Sequence, residues 1–374
     1  MKLLGGLTPA RFLRDHWQKR PLLVRQAIPG FAGILDRDAL LALATRADAT
    51  SRLVIEHPRG RSRWERHDGP FAGLDASMLP ASRWTLLVHG IESLVPGGWE
   101  LLRRFAFIPA ARTDDLMVSY ATDGGSVGPH DDLYDVFLLQ GPGRRRWQIA
   151  TRYDPAPDPS AAIKVLRRFE PEEEWLLEPG DMLYLPPGVA HWGVADGPCF
   201  TYSIGFLAPS HAELAAAFFA YLGAEGRYED PDLAPARAPF TVGDAMVDRV
   251  AAALAGIRWD RGHVGDFLGR YLTMPKRPPA PPSRPLSPEA FARRLRAPGR
   301  LALALPSRGL VRGARIYLDG ESYAAGPATR AWFTRLLGER ALPLPLRLDA
   351  RDLERVSRWY SEGRLRLALR RGRS

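Results

Sequence analysis

Three residues in this chain have the types and spacing to hold a divalent metal. His130 and Asp132 lie in Gly128-Pro129-His130-Asp131-Asp132-Leu133-Tyr134, and His191 ends Leu185-Pro186-Pro187-Gly188-Val189-Ala190-His191. On a strand, residues two apart project from one face. His130 and Asp132 then point together into a barrel, and Asp131 points outward. Two imidazoles and one carboxylate on one face of an octahedron suit Fe(II) and leave three positions open. A 2-oxoacid fills two of them and dioxygen the third. An HxD triplet alone carries little information, but the setting of the second histidine adds to it. Glu178-Pro179-Gly180-Asp181 is a turn, Met182–Leu185 a strand, and Pro186-Pro187-Gly188 a second turn that presents the imidazole. None of the other histidines (His16, His57, His67, His89, His211, His263) has a comparable setting.

A 2-oxoacid such as 2-oxoglutarate needs an anchor for its distal carboxylate, and arginine offers a bidentate, always-charged partner. Arg144-Arg145-Arg146-Trp147-Gln148-Ile149 offers three candidates. Trp147 and Ile149 are the apolar, inward positions of that strand, and Arg145 shares their parity. On the strand Asp115–Ala121, the residues Asp115, Met117 and Ser119 share one face. Ser119 is placed to hydrogen-bond the cosubstrate beside Arg145. Tyr134 has the parity of His130 and Asp132. A carboxylate, a thioether and a phenol beside the metal suit a cationic side chain with an aliphatic stem.

These residues need a scaffold of closely spaced strands. Between residues 114 and 207, short apolar runs recur at Leu116–Ala121, Tyr134–Leu139, Arg145–Ile149, Trp175–Leu177, Met182–Leu185 and Phe200–Phe206, with Gly/Pro/Asp turns between them. That pattern predicts an antiparallel barrel or sandwich. Before it, Pro9–Trp17 and Asp38–Ala44 have helical spacing, and Pro21–Val24 reads as a strand. After Pro209, His211–Gly223 and Gly243–Leu272 read as helix. The proline-dense stretch from Pro275 to Pro285 reads as a stiff linker. Beyond it, helices are expected at Pro288–Arg296, Thr329–Gly338 and Ala350–Tyr360. Strands are expected at Leu301–Leu305, Ala314–Leu318 and Arg364–Leu369. This divides the chain into a barrel at 1–208, a helical region at 209–274, a linker at 275–287 and a basic helix-plus-wing domain at 288–374.

Composition excludes several classes. The chain has 374 residues and one cysteine, so no intramolecular disulfide or cysteine-only zinc site can form. No apolar run is long enough to span a membrane. The first fourteen residues are charged too early for a secretory signal, and the expected compartment is the cytoplasm. The formal net charge is +10, and residues 289–374 hold nineteen arginines against eight acids, so the excess is confined to the C-terminal quarter. Any nucleic-acid contact is expected there.

These motifs resemble the JmjC-type ribosomal oxygenases. His16-Trp17-Gln18-Lys19-Arg20-Pro21-Leu22-Leu23-Val24 looks like their entry motif. Asp114-Asp115-Leu116-Met117-Val118-Ser119, the His130 segment, Tyr134-Asp135-Val136-Phe137 and Gln140-Gly141-Pro142-Gly143-Arg144-Arg145-Arg146-Trp147 follow in the same order. The likeness is dense over residues 10–210 and thinner beyond. It is greatest to the bacterial members that hydroxylate an arginine of a large-subunit ribosomal protein. The resemblance implies an α+β chain: a double-stranded β-helix (a cupin or JmjC jelly roll), a helical dimerisation region and a C-terminal winged-helix domain. It implies Fe(II), 2-oxoglutarate, dioxygen and 3-hydroxylation of a peptidyl arginine by a homodimer. By position, His130, Asp132 and His191 become the metal ligands, and Ser119 and Arg145 contact 2-oxoglutarate. Asp115, Met117, Tyr134 and Ser203 match the substrate pocket. Trp192 after the distal histidine and the strongly basic C-terminal domain, with its expected contact to rRNA, depart from the pattern. The alternatives are a histidine hydroxylase or methyl-lysine demethylase on the same barrel, and a winged-helix nucleic-acid binder with a vestigial barrel.

Overall fold

The structure, a computed structural model, describes residues 2–58, 63–73, 77, 79–223, 225–235 and 239–369. Twelve strands build its first part: β1 (Leu22–Val24), β2 (Thr50–Glu56), β3 (Trp64–Asp68), β4 (Trp84–His89), β5 (Thr113–Ala121), β6 (His130–Asp131), β7 (Val136–Gln140), β8 (Arg144–Ala150), β9 (Glu173–Leu177), β10 (Met182–Leu185), β11 (Ala190–Asp196) and β12 (Cys199–Phe206). They form an antiparallel eight-stranded sheet in the order β1-β10-β7-β12-β5-β4-β2-β3, faced by a four-stranded sheet, β6-β11-β8-β9. From β5 to β12 the chain crosses from one sheet to the other at every step except β8–β9, which stays in the four-stranded sheet; this is the winding of a double-stranded β-helix.

Strand alternation explains the patterning. On β7, Val136 and Leu138 face the barrel interior with Trp147, Ile149, Leu183 and Leu185. Phe137 and Leu139 face the other way, into a second core with Phe12, Leu40, Leu86, Val118 and Tyr184. Both faces are buried, so these strands read as unbroken apolar runs. Helices α1 (Pro9–Asp15), α2 (Arg37–Ala44) and α3 (Pro96–Leu102) contribute to that outer core. The entry motif ties in through Gln18, whose side chain donates to the fully buried Asp135 at 2.9 Å while its backbone N–H donates to the Tyr184 hydroxyl at 2.8 Å.

The helical stretch after Pro209 differs from the expectation of one continuous pattern over Gly243–Leu272. Helix α4 (His211–Leu222) is followed by α5 (Asp244–Gly256) and a separate α6 (Arg261–Tyr271). The break is chemical: Asp260 accepts the His263 N–H and starts a new helix with a capping box. The proline-dense segment is irregular, as expected, but it is not free. Arg277 donates to the carbonyls of His89 and Gly90 at 2.8 and 3.0 Å, stapling the linker to the barrel.

The last part contains α7 (Pro288–Leu295), β13 (Gly299–Leu303), β14 (Gly309–Arg312), β15 (Arg315–Leu318), β16 (Glu321–Ala324), α8 (Pro327–Glu339), β17 (Ala341–Leu344), α9 (Ala350–Ser361) and β18 (Leu365–Leu369). Its own core gathers Phe291, Leu301, Ile316, Phe333, Val356 and Trp359. It docks on the barrel through Arg340, which lies 4.2 Å over the Trp99 ring while Trp99 Nε1 donates to the Leu305 carbonyl at 2.9 Å.

Candidate active site

The interior of the barrel holds a cavity of about 290 Å³ between the two sheets. His130, Asp132 and His191 line it, and one ligand atom from each lies within 4.8 Å of the others. His191 pairs with His130 across β11 and β6, and their rings are 4.3 Å apart. Each histidine has its Nδ1 on a backbone carbonyl: His130 on Gly128 at 2.9 Å and His191 on Val189 at 3.0 Å. This fixes the rings and leaves both Nε2 atoms for a ligand, the arrangement that orients metal-binding imidazoles. Burial, with the neighbouring His130, lowers the His191 imidazolium to a pKa of about 4, so the ring is neutral near pH 7.

Asp132 lies just past the end of the two-residue β6, and the turn before His191 secures it: the Gly188 N–H donates to the Asp132 carbonyl at 2.8 Å. Asp131 is outside the cluster of three ligand atoms, but it does not point into open solvent as alternation predicts: it borders the same cavity. Lys164 pairs with it at 2.9 Å, and its side chain is only 11% exposed. Tyr134 is a correction in detail. It stands in the turn before β7 rather than on a strand, yet it still reaches the cavity beside Asp132. Burial first, and then the Asp132 carboxylate, raise the Tyr134 phenol well above its ordinary value, so it serves as a donor.

Parity selects among the three arginines as expected. Arg144 and Arg146 face outward in surface ion pairs, Arg144 with Asp196 at 2.9 Å and Arg146 with Glu174. Arg145 is 3% exposed, and its Nε and Nη2 have no hydrogen-bond partner among the described residues. A buried, unpartnered guanidinium is costly unless an anion completes it. The hydroxyls of Thr85 and Thr201 and the Trp147 indole N–H line the same cavity and also have no hydrogen-bond partner among the described residues. Ser119 sits opposite Thr201 on β12. The donor set fits a dicarboxylate whose other end chelates a metal at His130, Asp132 and His191. Gly193 makes room on β11: a Cβ there would stand 2.7 Å from the Trp147 ring.

Met117 and Ser203 pair across β5 and β12 and line the cavity toward Tyr134. Asp115 has the predicted parity but stands one step outside that lining. Its carboxylate accepts from the Gly90 N–H at 3.2 Å, contacts His89 Nδ1 at 3.3 Å and lies 3.8 Å from Lys276 Nζ. Burial opposes its ionisation, but these donors outweigh it and hold the carboxyl below its usual range. Trp192 points to the outer face of β11, where its indole donates to Ser126 at 2.8 Å. Sequence reasoning missed Thr85, Thr201, His89 and Lys276. Thr201 alone had a signal, the parity it shares with Ser203.

The model of the JmjC domain family matches residues 100–214. Over 323 residues the chain is 34% identical to the ribosomal protein uL16 3-hydroxylase of Escherichia coli (strain K12), covering 83% of this chain and 84% of that protein. It is 39% identical over 211 residues to a probable ribosomal oxygenase of Haemophilus influenzae, covering 56% of this chain and 52% of that protein. Among solved structures, the ribosomal oxygenase YcfD from Escherichia coli in complex with cobalt and 2-oxoglutarate superposes with a TM-score of 0.79 at 31% identity. That likeness covers 97% of this chain and 98% of the YcfD chain.

Proposed function

Since the chain belongs to the JmjC ribosomal oxygenases, the family of the uL16 3-hydroxylase, we propose that it is an Fe(II)- and 2-oxoglutarate-dependent oxygenase that 3-hydroxylates an arginine side chain of a large-subunit ribosomal protein. The observation that carries this reading is the shared cavity: three metal-ligating atoms within 4.8 Å of one another and, in the same space, a buried arginine lacking a counter-anion. A complete donor set of this kind argues against a vestigial barrel.

Bound Fe(II), with 2-oxoglutarate and dioxygen, supplies an oxidative decarboxylation to succinate and carbon dioxide that inserts one oxygen atom into a substrate C–H bond. The chain's own residues do the positioning. His130, Asp132 and His191 would hold the metal. Arg145, with Ser119, Thr85 and Thr201 around it, orients the cosubstrate's distal carboxylate. Met117 and Tyr134 flank the aliphatic stem of the incoming arginine, and Ser203 and Asp115 meet its polar end. The apolar interior excludes water, which strengthens each of these contacts.

The reading divides the chain into a catalytic barrel at 1–208, a helical region at 209–274 that pairs two subunits, a linker at 275–287 and a winged-helix domain at 288–374. Pairing is supported by α4 and α5, where Phe219, Val247 and Leu254 are exposed. The winged-helix assignment rests on the order of α7, α8, α9 and the β14–β15–β16 meander. Contact with rRNA through this domain is supported by exposed Arg294, Arg296, Arg300, Arg347 and Arg366, which pair with no carboxylate among the described residues. No helix of the described residues is long and apolar enough to cross a membrane. A ribosomal substrate supports the cytoplasm as the compartment of the reaction.

The test is a peptide assay with arginine, histidine and methyl-lysine substrates. Succinate release matched by hydroxylation of the arginine peptide supports the reading. Formaldehyde release from methyl-lysine, or hydroxylation of histidine alone, overturns it.

A further inference from the structure

Lys276 is the first basic residue of the proline-dense linker, and the linker does not let it wander. One residue later, Arg277 is stapled to the turn after β4, where it takes the carbonyls of His89 and Gly90 and also reaches Asp48 O and Ser93 Oγ. A side chain at Gly90, where φ is +66°, would collide with the Arg277 guanidinium, 2.5 Å from an ideal Cβ. The same turn presents its N–H side to Asp115. Neighbouring Cα atoms are about 3.8 Å apart, so this staple holds the Lys276 backbone beside the turn and keeps its ammonium within reach of Asp114 and Asp115. It rests 2.7 Å from Asp114 Oδ1 and 3.8 Å from Asp115 Oδ2. Asp115 is buried on the inward face of β5, beyond Met117, and its charge acts on Tyr134 at the cavity mouth. A third cation, Arg308 of the C-terminal domain, donates to the backbone carbonyls of Thr113 and Asp114 but not to either carboxylate.

We propose that Lys276 is a tethered stand-in for the substrate's cation: it neutralises the Asp114/Asp115 pair in the free enzyme and is displaced when the arginine guanidinium arrives. This rests on the reading of a cationic substrate meeting Asp115. Two physical terms set its size. Tethering makes the occupancy intramolecular, so no bulk concentration of a competing cation is needed. The pair is half exposed, with side chains 43% and 34% accessible for Lys276 and Asp114, so it is weak and readily exchanged. A competitor of that strength raises the apparent KM for the peptide by about two- to six-fold. The cost purchases selectivity, since a neutral side chain cannot replace the ammonium.

The experiment compares the full-length wild type with Lys276→Met, which keeps the stem and loses the charge, and Lys276→Arg, which keeps the charge. KM for an arginine peptide is measured at saturating 2-oxoglutarate. Lys276→Met should lower KM by about two- to six-fold, with the change in KM rather than kcat, and Lys276→Arg should behave as wild type. In parallel, acylation of Lys276 is followed by mass spectrometry. It should quicken when arginine peptide is bound and stay constant with a peptide whose target is alanine. A KM that rises or holds in Lys276→Met, or labelling that slows or is unaffected by arginine peptide, overturns the exchange. If wild type fails to hydroxylate the arginine peptide at all, it is the underlying substrate reading that fails.

Discussion

Replacing Arg145 with methionine separates two roles that usually coincide. Methionine keeps most of the stem and removes the guanidinium. With 2-oxoglutarate bound, the loss leaves a buried carboxylate unpaired, which typically costs about 3–5 kcal/mol, or roughly 150- to 5,000-fold in affinity. Without 2-oxoglutarate that cost is absent. Arg145 is 3% exposed, and its Nε and Nη2 have no hydrogen-bond partner among the described residues, so the variant breaks no protein hydrogen bond at those two atoms. The cofactor-free variant should therefore melt no lower than wild type. The assay is thermal unfolding under anaerobic Fe(II), with and without 2-oxoglutarate at about a hundred times the wild-type Kd. Wild type gains about 2.7 kcal/mol at that ratio, or roughly 5–10 °C in Tm for a domain of this size. Even a variant binding just a hundred-fold more weakly gains only about 0.4 kcal/mol, close to 1 °C. Arg144→Met and Arg146→Met lose only surface pairs and should keep the wild-type ligand shift. A full shift in Arg145→Met, or equal losses in all three, would refute the assignment.

Further outcomes follow from the same geometry. Asp132→Asn should abolish turnover and Fe(II) retention, whereas Asp131→Asn, which weakens the pair with Lys164 but removes no atom of the three-residue cluster, should keep substantial activity; metal content by atomic absorption decides between them. Asp115→Asn should weaken arginine-peptide hydroxylation by about 1.5–3 kcal/mol, the range for a charge-assisted hydrogen bond, while peptide-independent succinate release survives. Arg340→Ala removes the buried guanidinium that stacks on Trp99 and donates to the carbonyls of Ala304, Leu305 and Ser307. It should loosen the C-terminal domain by about 2–4 kcal/mol, since several buried acceptors lose their donor at once; hydrogen exchange of β13 and β17 reports it.

The barrel was legible where both strand faces are buried or strictly alternate. Along β5 and β8, parity alone separated Asp115, Met117, Ser119 and Arg145 from neighbours that face the outer core or solvent. β2, β3 and β4 were not assigned. β3 reads Trp-Glu-Arg-His-Asp with only Trp64 buried, a strand that extends the sheet edge without a pattern of its own. Thr85, on unassigned β4, was lost with it. Tyr134 reached the site for a different reason from the one alternation supplied, because β6 ends at Asp131 and a turn carries the chain onward. The surroundings of Asp115 were beyond local pattern altogether. His89 and Lys276 reach it from positions 26 residues before and 161 residues after, through a staple made by Arg277 to backbone carbonyls.

The central claim is that one cavity joins a His130–Asp132–His191 metal centre to an arginine substrate. It is tested most directly by mass spectrometry of ribosomal proteins from cells carrying the wild-type chain or its Asp132→Ala variant. The account predicts one arginine of a large-subunit protein, heavier by a single oxygen atom on its β-carbon in the first sample and unmodified in the second. An identical modification in both samples, or none on any arginine in either, would contradict it.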